Sequence, residues 1–502
     1  MKMNIKNTGM AILCGALLLA GAGCKKFLTE KNKGNFTQDN YFTSEKQAQS
    51  AIDGIYSSLG TFQVSNGYGE RPWAALELIV GHATTLGQSL YNNQMIKHTI
   101  DPANPFFSQI WNDSYFGIAN ANLALKRIPD IDMDSTKKKS LLGEAHFFRA
   151  YFYFLLVRLY GDVPLITDPV DATSPDLYPE RSSQDSVYQL IVSDLQTAEQ
   201  AGLPDVDHTG RVSLGAVKSV LAEVYLRMAG YPLQKTEYYQ KAADKAWEVI
   251  NAGWYTLFDD YAFLHDNAHK NQGELILQDQ YAAGIRTNSL CPDIIPYMVG
   301  ISAFHDEFGA VIPTDGFYNT YEPNDLRAQE QEFYFSKYPS HADPTKIIDF
   351  KVHALYKYFH KESALSTAIC DENWTLIRLP EVMLIYAEAS NEVSGPTAQA
   401  YDQLNAIRER AHLKDLSGLT KDQFREAVWK ERYHELAYEN KAYFDIQRTR
   451  KYYDVKNNKF VDVIGYTDES GTKWDEKYLL WGIPQSEIDN NKKLTQNTGW
   501  GD

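Results

Sequence analysis

The sequence predicts a mostly α-helical protein in which tetratricopeptide-like helical pairs form a scaffold with loop-rich segments inserted among them. Segment 213–253 carries two successive apolar stripes at helical spacing. Segment 140–165 is apolar nearly all round, which is typical of a buried helix. Two long stretches, 60–107 and 255–375, are rich in Gly, Pro, Asn and aromatic residues and show no clean period. Loops of that length inside a folded chain are often functional.

The first 23 residues are typical of a targeting segment. Lys2 and Lys6 provide a positive start, and the apolar stretch Met10–Ala20 has the length of a signal-peptide core but is too short to span a bilayer. Small residues then precede Cys24, which is the pattern of a bacterial lipoprotein. We therefore predict a lipoprotein signal peptide over residues 1–23 and acylation of Cys24, for example by palmitate. Ordinary secretion with a free Cys24 is the alternative.

Residues 24–44 follow as a lipidated tether, and residues 45–502 are predicted to form a single domain. Its helical scaffold covers about 45–60, 108–255 and 376–445, and its loop-rich zones cover about 60–107 and 255–375. The individual helices are predicted near Glu45–Leu59, 140–165, Ser183–Ala201, 213–230, 238–253, 379–392, 397–412 and 420–440. Several have recognisable ends: Gly161 and Pro164 stop the second, Ser213 is an N-cap, and Thr420 with Gln423 forms a capping box.

Charge and cysteine content limit the classes of partner. Removing the leader leaves 502 − 23 = 479 residues, and the loss of Lys2 and Lys6 changes the net charge from −16 to −18. That acidity argues against a nucleic-acid partner. Cys291 and Cys370 remain in the mature chain, and the sequence leaves open whether they form a disulfide. No cofactor is predicted, although a structural calcium ion stays open.

Two sets of residues have types and spacings that could serve metal binding or catalysis. His265 and His269 are four residues apart, but no further ligands accompany them, so surface polar residues are the preferred interpretation. Glu431 and Glu435 continue an apolar stripe of the helix at 420–440 and could serve as a general acid and base. Arginines are abundant nearby, namely Arg378, Arg408, Arg410 and Arg448. We therefore favour buried ion pairs between the two glutamates and these arginines. No recognised catalytic motif occurs, and the protein is not predicted to be an enzyme.

Aromatic residues in the loop-rich zones indicate ligand binding. A flat ring beside hydrogen-bonding groups suits the C–H faces and hydroxyl edges of a sugar, although such rings also serve protein interfaces. The candidate ligand-binding residues are Tyr68, Trp73, Tyr91, Tyr281, Tyr297, Phe308 and Tyr318.

Several segments resemble a known family. "CKKFLTEK" followed by "YFTSEKQAQSAIDGIYSSL" is similar to the start of SusD/RagB-type outer-membrane lipoproteins of the Bacteroidetes. "GEAHFFRAYFYFLLVRLYGDVPL", "WTLIRLPEVMLIYAEASN", "LNAIRERA" and "ERYHELAYENKAYFDIQR" resemble further segments of that family. "WGIPQSEIDNNKKLTQNTGW" resembles its closing segment, with Thr498 where proline is more usual. The resemblance covers nearly the whole mature chain.

The resemblance implies a specific role. Members have a tetratricopeptide-like helical fold with an inserted loop-rich subdomain, are lipid-anchored at the cell surface and are not enzymes. They bind a nutrient, usually an oligosaccharide, and deliver it to a SusC-like TonB-dependent transporter in the outer membrane. Some members bind peptides, so a peptide-binding lid is one alternative. A surface glycoside hydrolase and a pure protein-interaction scaffold are the others.

Overall fold

The computed structural model describes residues 41–501, apart from residues 66, 68, 88, 172, 175, 176 and 305. The predicted signal peptide, Cys24 and the tether as far as residue 40 lie outside this range. The helices, in chain order, are α1 (Glu45–Tyr56), α2 (Pro72–Leu78), α3 (Leu90–Ile96), α4 (Pro105–Arg127), α5 (Ser135–Tyr160), α6 (Gln184–Glu199), α7 (Leu214–Ala229), α8 (Tyr238–Ala252), α9 (Cys291–Ile294), α10 (Asp315–Tyr318), α11 (Lys361–Ala364), α12 (Leu379–Ser394), α13 (Ala398–Arg410), α14 (Lys421–Glu435), α15 (Ala442–Thr449) and α16 (Gln485–Asn490).

The strands are short and form only two-stranded antiparallel sheets within the described ranges. They are β1 (Ala83–Thr84), β2 (Val163–Pro164), β3 (Arg181–Ser182), β4 (Leu275–Asp279), β5 (Ile312–Pro313), β6 (Tyr334–Pro339), β7 (Ile347–Leu355), β8 (Trp374–Arg378), β9 (Lys451–Asp454) and β10 (Lys459–Asp462). Their pairs are β1 with β5, β2 with β3, β4 with β8, β6 with β7, and β9 with β10. The prediction of a mostly helical protein is confirmed.

Consecutive long helices pack side by side, as helical-repeat units do. Helix α4 packs on α5, α5 on α6, α7 on α8, α8 on α12, and α12 on both α13 and α14. Small residues permit close approach: a Cβ at Gly117 in α4 would lie 2.3 Å from the ring of Phe152 in α5. Ala222 of α7 and Ala242 of α8 are fully buried where these two helices pack.

Local signals set the helix ends. The Ser213 hydroxyl accepts a hydrogen bond from the Ala216 amide at 3.1 Å, which satisfies an otherwise unpaired donor of the first turn of α7. Helix α5 ends as predicted at Gly161, whose φ of 74° is accessible to glycine without strain. It begins at Ser135, earlier than expected, because Asp134 caps the Lys137 amide. The capping box of Thr420 and Gln423 is present at the start of α14.

Helix α14 ends at Glu435, so the predicted extension to residue 440 is wrong. The backbone of Tyr438 and Asn440 is left-handed, with φ of 65° and 58°, which stops the helix. The backbone N–H of Asn440 donates a hydrogen bond to the Glu77 carboxylate at 2.6 Å, which stabilises this turn. The loop-rich zones also contain more regular structure than expected, including α2, α3 and the hairpin of β6 and β7.

One continuous cluster of buried apolar side chains extends from Ala48 to Trp500. It includes most of α5, whose burial on all sides explains its lack of a polar face. No helix in the described part of the chain is both long and apolar enough to cross a membrane.

Candidate ligand-binding surface

The two loop-rich zones meet in space through a short backbone ladder. Strand β1 of the first zone pairs with β5 of the second, with Ala83 opposite Pro313. Beyond the strands the contact continues, because the Leu86 amide donates to the Gly309 carbonyl at 2.8 Å and the Thr85 hydroxyl donates to the same oxygen at 3.3 Å. Segments more than 200 residues apart in sequence therefore form one surface.

This surface exposes a group of apolar side chains. We call it the loop platform and define it as Leu86, Leu90, Tyr297, Met298 and Phe308. The exposed fractions of the first four are 40%, 63%, 44% and 67%, and Phe308 is half-buried. Several exposed apolar side chains on neighbouring segments are typical of a binding site.

Glycines bring the members of the platform together. Gly309 has a φ of 56°, and a Cβ there would lie 2.9 Å from the backbone nitrogen of Tyr297 and 3.0 Å from the Cβ of Leu86. A Cβ at Gly69 would lie 3.5 Å from the Cβ of Phe308. Any side chain at Gly309 would thus separate the two loops that carry Leu86 and Tyr297.

A buried ion pair supports the platform. The Arg71 guanidinium contacts the Asp293 carboxylate, and both side chains are almost fully buried. Arg71 also donates to the Ser289 carbonyl at 2.8 Å and to the Ser289 hydroxyl at 2.9 Å, so one cation ties the first zone to the second. Burial raises the pKa of Asp293, and the charge of Arg71 opposes that rise.

Glu307 shapes the loop that presents Tyr297 and Met298. Its carboxylate is buried and accepts hydrogen bonds from the amides of Gly300 at 2.6 Å, Ile301 at 2.9 Å and Ser302 at 2.9 Å. It also accepts the Ser302 hydroxyl at 2.8 Å. A carboxylate that gathers three successive amides fixes the loop in one conformation, because charge-assisted hydrogen bonds are the stronger ones.

The structure brings some of the predicted aromatic residues to this surface. Tyr297 and Phe308 belong to the platform. Tyr91 follows Leu90 directly but is half-buried, with its ring edge-to-face against Phe106 at 6.3 Å. Tyr68 lies outside the described residues. Ligand contact by these four side chains stays a prediction.

Two of the predicted residues are structural, so the proposal that they contact a ligand is corrected. Trp73 has no exposed surface; its indole N–H donates to the Tyr438 carbonyl at 2.9 Å, and its ring packs edge-to-face on Tyr358 and Trp374. Tyr281 is 6% exposed, and the Arg286 guanidinium lies 4.4 Å from its ring centroid. Neither ring offers a free face.

Tyr318 is half-buried, and its contacts are largely satisfied within the protein. One face of its ring stacks on His353, with centroids 3.6 Å apart and planes inclined by 13°. Its hydroxyl donates to the Ala328 carbonyl at 2.8 Å, and Tyr334 packs edge-to-face against it. We therefore leave Tyr318 out of the platform.

Comparison with solved structures places the fold. A SusD superfamily protein from Parabacteroides distasonis is 36% identical to this chain, with 93% of this chain and 100% of that chain covered, and a TM-score of 0.88. The chain belongs to the SusD family. The family model described as "SusD family" matches residues 311–500, and the one described as "Starch-binding associating with outer membrane" matches residues 26–226.

Two other proteins extend the likeness. A SusD-like protein, P2, from Formosa agariphila is 27% identical to this SusD-family chain, with 96% of this chain and 97% of the relative covered. The surface glycan-binding protein A of Bacteroides thetaiotaomicron, solved in complex with laminarihexaose, is 20% identical, with 91% and 100% covered and a TM-score of 0.73. The last comparison concerns the fold alone.

In this SusD-family chain Glu431 and Glu435 are partners of arginines, as the sequence favoured. Glu435 is fully buried and contacts Arg378 at 2.6 Å, Arg327 at 3.1 Å and also Arg410. Burial opposes ionisation, but the three cations lower the pKa of Glu435 to about 2. Glu431 contacts Arg327 at 2.6 Å and Arg408 at 3.3 Å. Carboxylates held in this way have no open side toward a substrate.

The two histidines considered for metal binding pair with carboxylates, and the two cysteines are buried. His265 lies 2.5 Å from Glu372 and His269 lies 2.8 Å from Asp266. Across the residues that the model describes, no group of three or more His, Cys, Asp or Glu side chains is arranged to hold a metal ion. Cys291 and Cys370 are free thiols, and burial raises the pKa of each to about 12.

Sequence reasoning missed the aliphatic half of the platform and its support. Leu86, Leu90 and Met298 carry no aromatic signal, and only the nearby Gly87 and Gly300 hint that they are exposed. Glu307 was also missed, because nothing in the sequence shows that a loop carboxylate turns inward. Arg327, with no exposed surface, was likewise not among the arginines expected near Glu431.

Proposed function

We propose that the loop platform binds an oligosaccharide. The observation that carries this proposal is that both loop-rich zones contribute exposed apolar side chains, among them Tyr297, to one surface. Rings and methyl groups suit the apolar face of a sugar, and the exposed backbone of neighbouring loops supplies polar partners for its hydroxyls. The laminarihexaose complex of the Bacteroides thetaiotaomicron protein and the starch-binding description of the family model support a glycan.

The proposed role continues beyond binding. We infer that acylated Cys24 anchors the protein to the outer surface of the outer membrane, and that the bound glycan passes to a SusC-like TonB-dependent transporter. An anchor keeps the binding protein at high local concentration beside its transporter, so weak intrinsic affinity suffices. The family description of association with the outer membrane supports this location.

The proposal treats the protein as non-catalytic. Hydrolysis of a glycosidic bond requires two carboxyl groups about 5 to 10 Å apart in an open cleft. Glu431 and Glu435 are buried among arginines instead. The hydrolase alternative therefore has no candidate pair from the sequence analysis.

Calorimetry of the purified mature protein tests the binding proposal. Laminarihexaose, maltohexaose and a set of short peptides are titrated against the parent protein and Tyr297→Ala. We expect one of the glycans to bind, and Tyr297→Ala to lower its affinity about tenfold by removing a stacking ring. Val393→Ala is the matched control, because Val393 is similarly exposed at 47% but lies in α12, outside the platform.

Each other outcome has a definite meaning. Unchanged affinity in Tyr297→Ala removes the platform from the proposal. Binding of peptides alone supports the peptide-binding lid, release of shorter sugars supports the hydrolase, and no heat with any ligand supports an interaction scaffold. A separate experiment tests the lipid anchor. In cells that produce the Cys24→Ser variant, the protein should no longer be labelled with palmitate and should be lost from the membrane fraction.

A further inference from the structure

A second concave surface lies on the helical scaffold, away from the loop platform in sequence. It is a cavity of about 350 Å³ between α4, the connection from β2 to β3, and the segment that contains α16. That volume lies within the usual range for small-molecule sites. It shares no lining residue with the platform. We call it the scaffold cleft and define it by Trp111, Asn112, Tyr115, Tyr178, Glu487 and Asn491.

Aromatic rings line one side of the scaffold cleft. Trp111 and Tyr115 are one helical turn apart on α4, with ring centroids 5.0 Å apart. The Tyr115 hydroxyl donates to the Pro164 carbonyl at 2.8 Å, which holds the ring in place. Tyr178 approaches from the β2–β3 connection and is 52% exposed. Trp111 is only 3% exposed and packs behind Tyr115, so the apolar surface toward the cleft comes from the half-buried Tyr115 and the exposed Tyr178.

Polar side chains also line the scaffold cleft. The Trp111 side chain hydrogen-bonds to the carboxylate of Glu487, whose pKa is raised by burial. The Asn491 amide donates to the Pro179 carbonyl at 2.8 Å, which ties the C-terminal segment to the β2–β3 connection. Asn112 is exposed on α4 and also lines the cleft. Carboxylate and amide groups beside rings match the hydroxyl edge of a sugar.

The surroundings of the cleft are unusually apolar for a scaffold surface. Phe116, next to it on α4, is 60% exposed, while Val170 and Leu177 in its lining are 42% and 40% exposed. A second concavity of about 720 Å³ adjoins it and shares Ile166 and Asp168 with it. Val170 and Pro179 also line both, so the two concavities adjoin along the β2–β3 connection. Apolar exposure of this kind marks a binding site rather than an ordinary protein surface.

We propose that the scaffold cleft is a second saccharide-binding site, which takes an oligosaccharide against Tyr115 and Tyr178. This inference rests on the proposed glycan-binding function and gives the protein a second site for the same class of ligand. A glycan long enough to reach both sites would dissociate more slowly than one held at a single site, whereas short glycans would occupy the two sites separately.

Stoichiometry measured by calorimetry tests the proposal in the intact mature protein. With laminarihexaose and maltohexaose as probes, the parent protein should bind two molecules per chain. Tyr178→Ala should weaken one site about three- to tenfold and leave the other unchanged, and Tyr297→Ala should do the reverse. The two exposed tyrosines are thus matched controls for each other.

The outcomes separate this inference from the proposed function. One molecule per chain, lost in Tyr297→Ala and unaffected by Tyr178→Ala, overturns the second site but keeps the platform. One molecule per chain that depends on Tyr178 alone supports the cleft and removes the platform. No binding of either probe in the parent overturns both. Because Tyr178 is half-exposed, both variants are expected to fold, and unfolding curves that match the parent verify this.

Discussion

Replacement of Glu435 by glutamine should destabilise this protein by several kcal/mol. Glu435 lies at the centre of a buried charge cluster in which five cations face five carboxylates. The cations are Arg327, Lys357, Arg378, Arg408 and Arg410, and the carboxylates are Glu274, Asp325, Glu431, Glu435 and Glu439. Glu435→Gln keeps the shape of the side chain but leaves one buried positive charge uncompensated.

The expected magnitude follows from two arguments. Removing one partner of a buried ion pair costs about 3–5 kcal/mol, because the remaining charge stays desolvated. The pKa of Glu435 falls from the usual 4.5 to about 2, which corresponds to roughly 3 kcal/mol of preference for the ionised form. The two figures agree. The loss should appear at neutral pH, where the parent carboxylate is charged.

The sign of the pH dependence can also be stated. A carboxylate whose folded pKa is lowered contributes stability that is fully present above about pH 4.5 and is lost as the pH falls toward 2. The parent should therefore lose more of its free energy of unfolding over that window than Glu435→Gln does. The difference between the two proteins should shrink steadily as the solution becomes more acidic.

Urea unfolding followed by circular dichroism, at pH 7 and at steps down to pH 3, measures both effects. Asp422→Asn is the matched control, because Asp422 pairs with Arg425 on α14 but its side chain is 85% exposed. That control should change the free energy of unfolding by less than about 0.5 kcal/mol. A loss below about 1 kcal/mol in Glu435→Gln, or the same pH profile as the parent, would refute the account of this cluster.

Three further substitutions test other parts of the structure. Trp73→Ala should lower the free energy of unfolding by about 3–5 kcal/mol through the cavity it leaves, and unchanged stability in urea would contradict the buried position of the ring. Thr420→Ala removes the capping box of α14 and should cost about 1 kcal/mol by the same measurement, whereas Thr420→Ser should keep most of it. Glu307→Gln should speed amide hydrogen exchange at Gly300–Ser302 and weaken glycan binding at the platform, because the loop loses its charged acceptor. If these amides stay as protected as in the parent, Glu307 does not hold the loop.

The bounds of most predicted helices agree with the structure to within a few residues, whereas α4 and α15 were not among the predicted helices. Ser213 and Gly161 act on backbone groups within one turn of themselves, so their effect is visible in a short window of sequence. The extension of α14 past Glu435 was the main error. The positive φ of Tyr438 and Asn440 depends on the Glu77 carboxylate beneath that turn, which lies in a different part of the chain.

The candidate site was predictable only in part. The loop-rich zones were identified from composition, and two of their aromatic residues, Tyr297 and Phe308, lie on the platform. Trp73 was chosen from the same kind of context and is fully buried. Composition identifies rings in loops, but it does not show which face of a loop the rest of the protein covers.

The sequence by itself determined the helical class, the caps, the pairing of Glu431 and Glu435 with arginines, and the family resemblance, because these depend on periodicity and on residue types close together. Only the tertiary structure decided which rings are open. Trp73 is covered by Tyr438, 365 residues further along, and the platform forms where Leu86 meets Gly309. Burial is a property of all the neighbours in space, and most of those neighbours are distant in the chain.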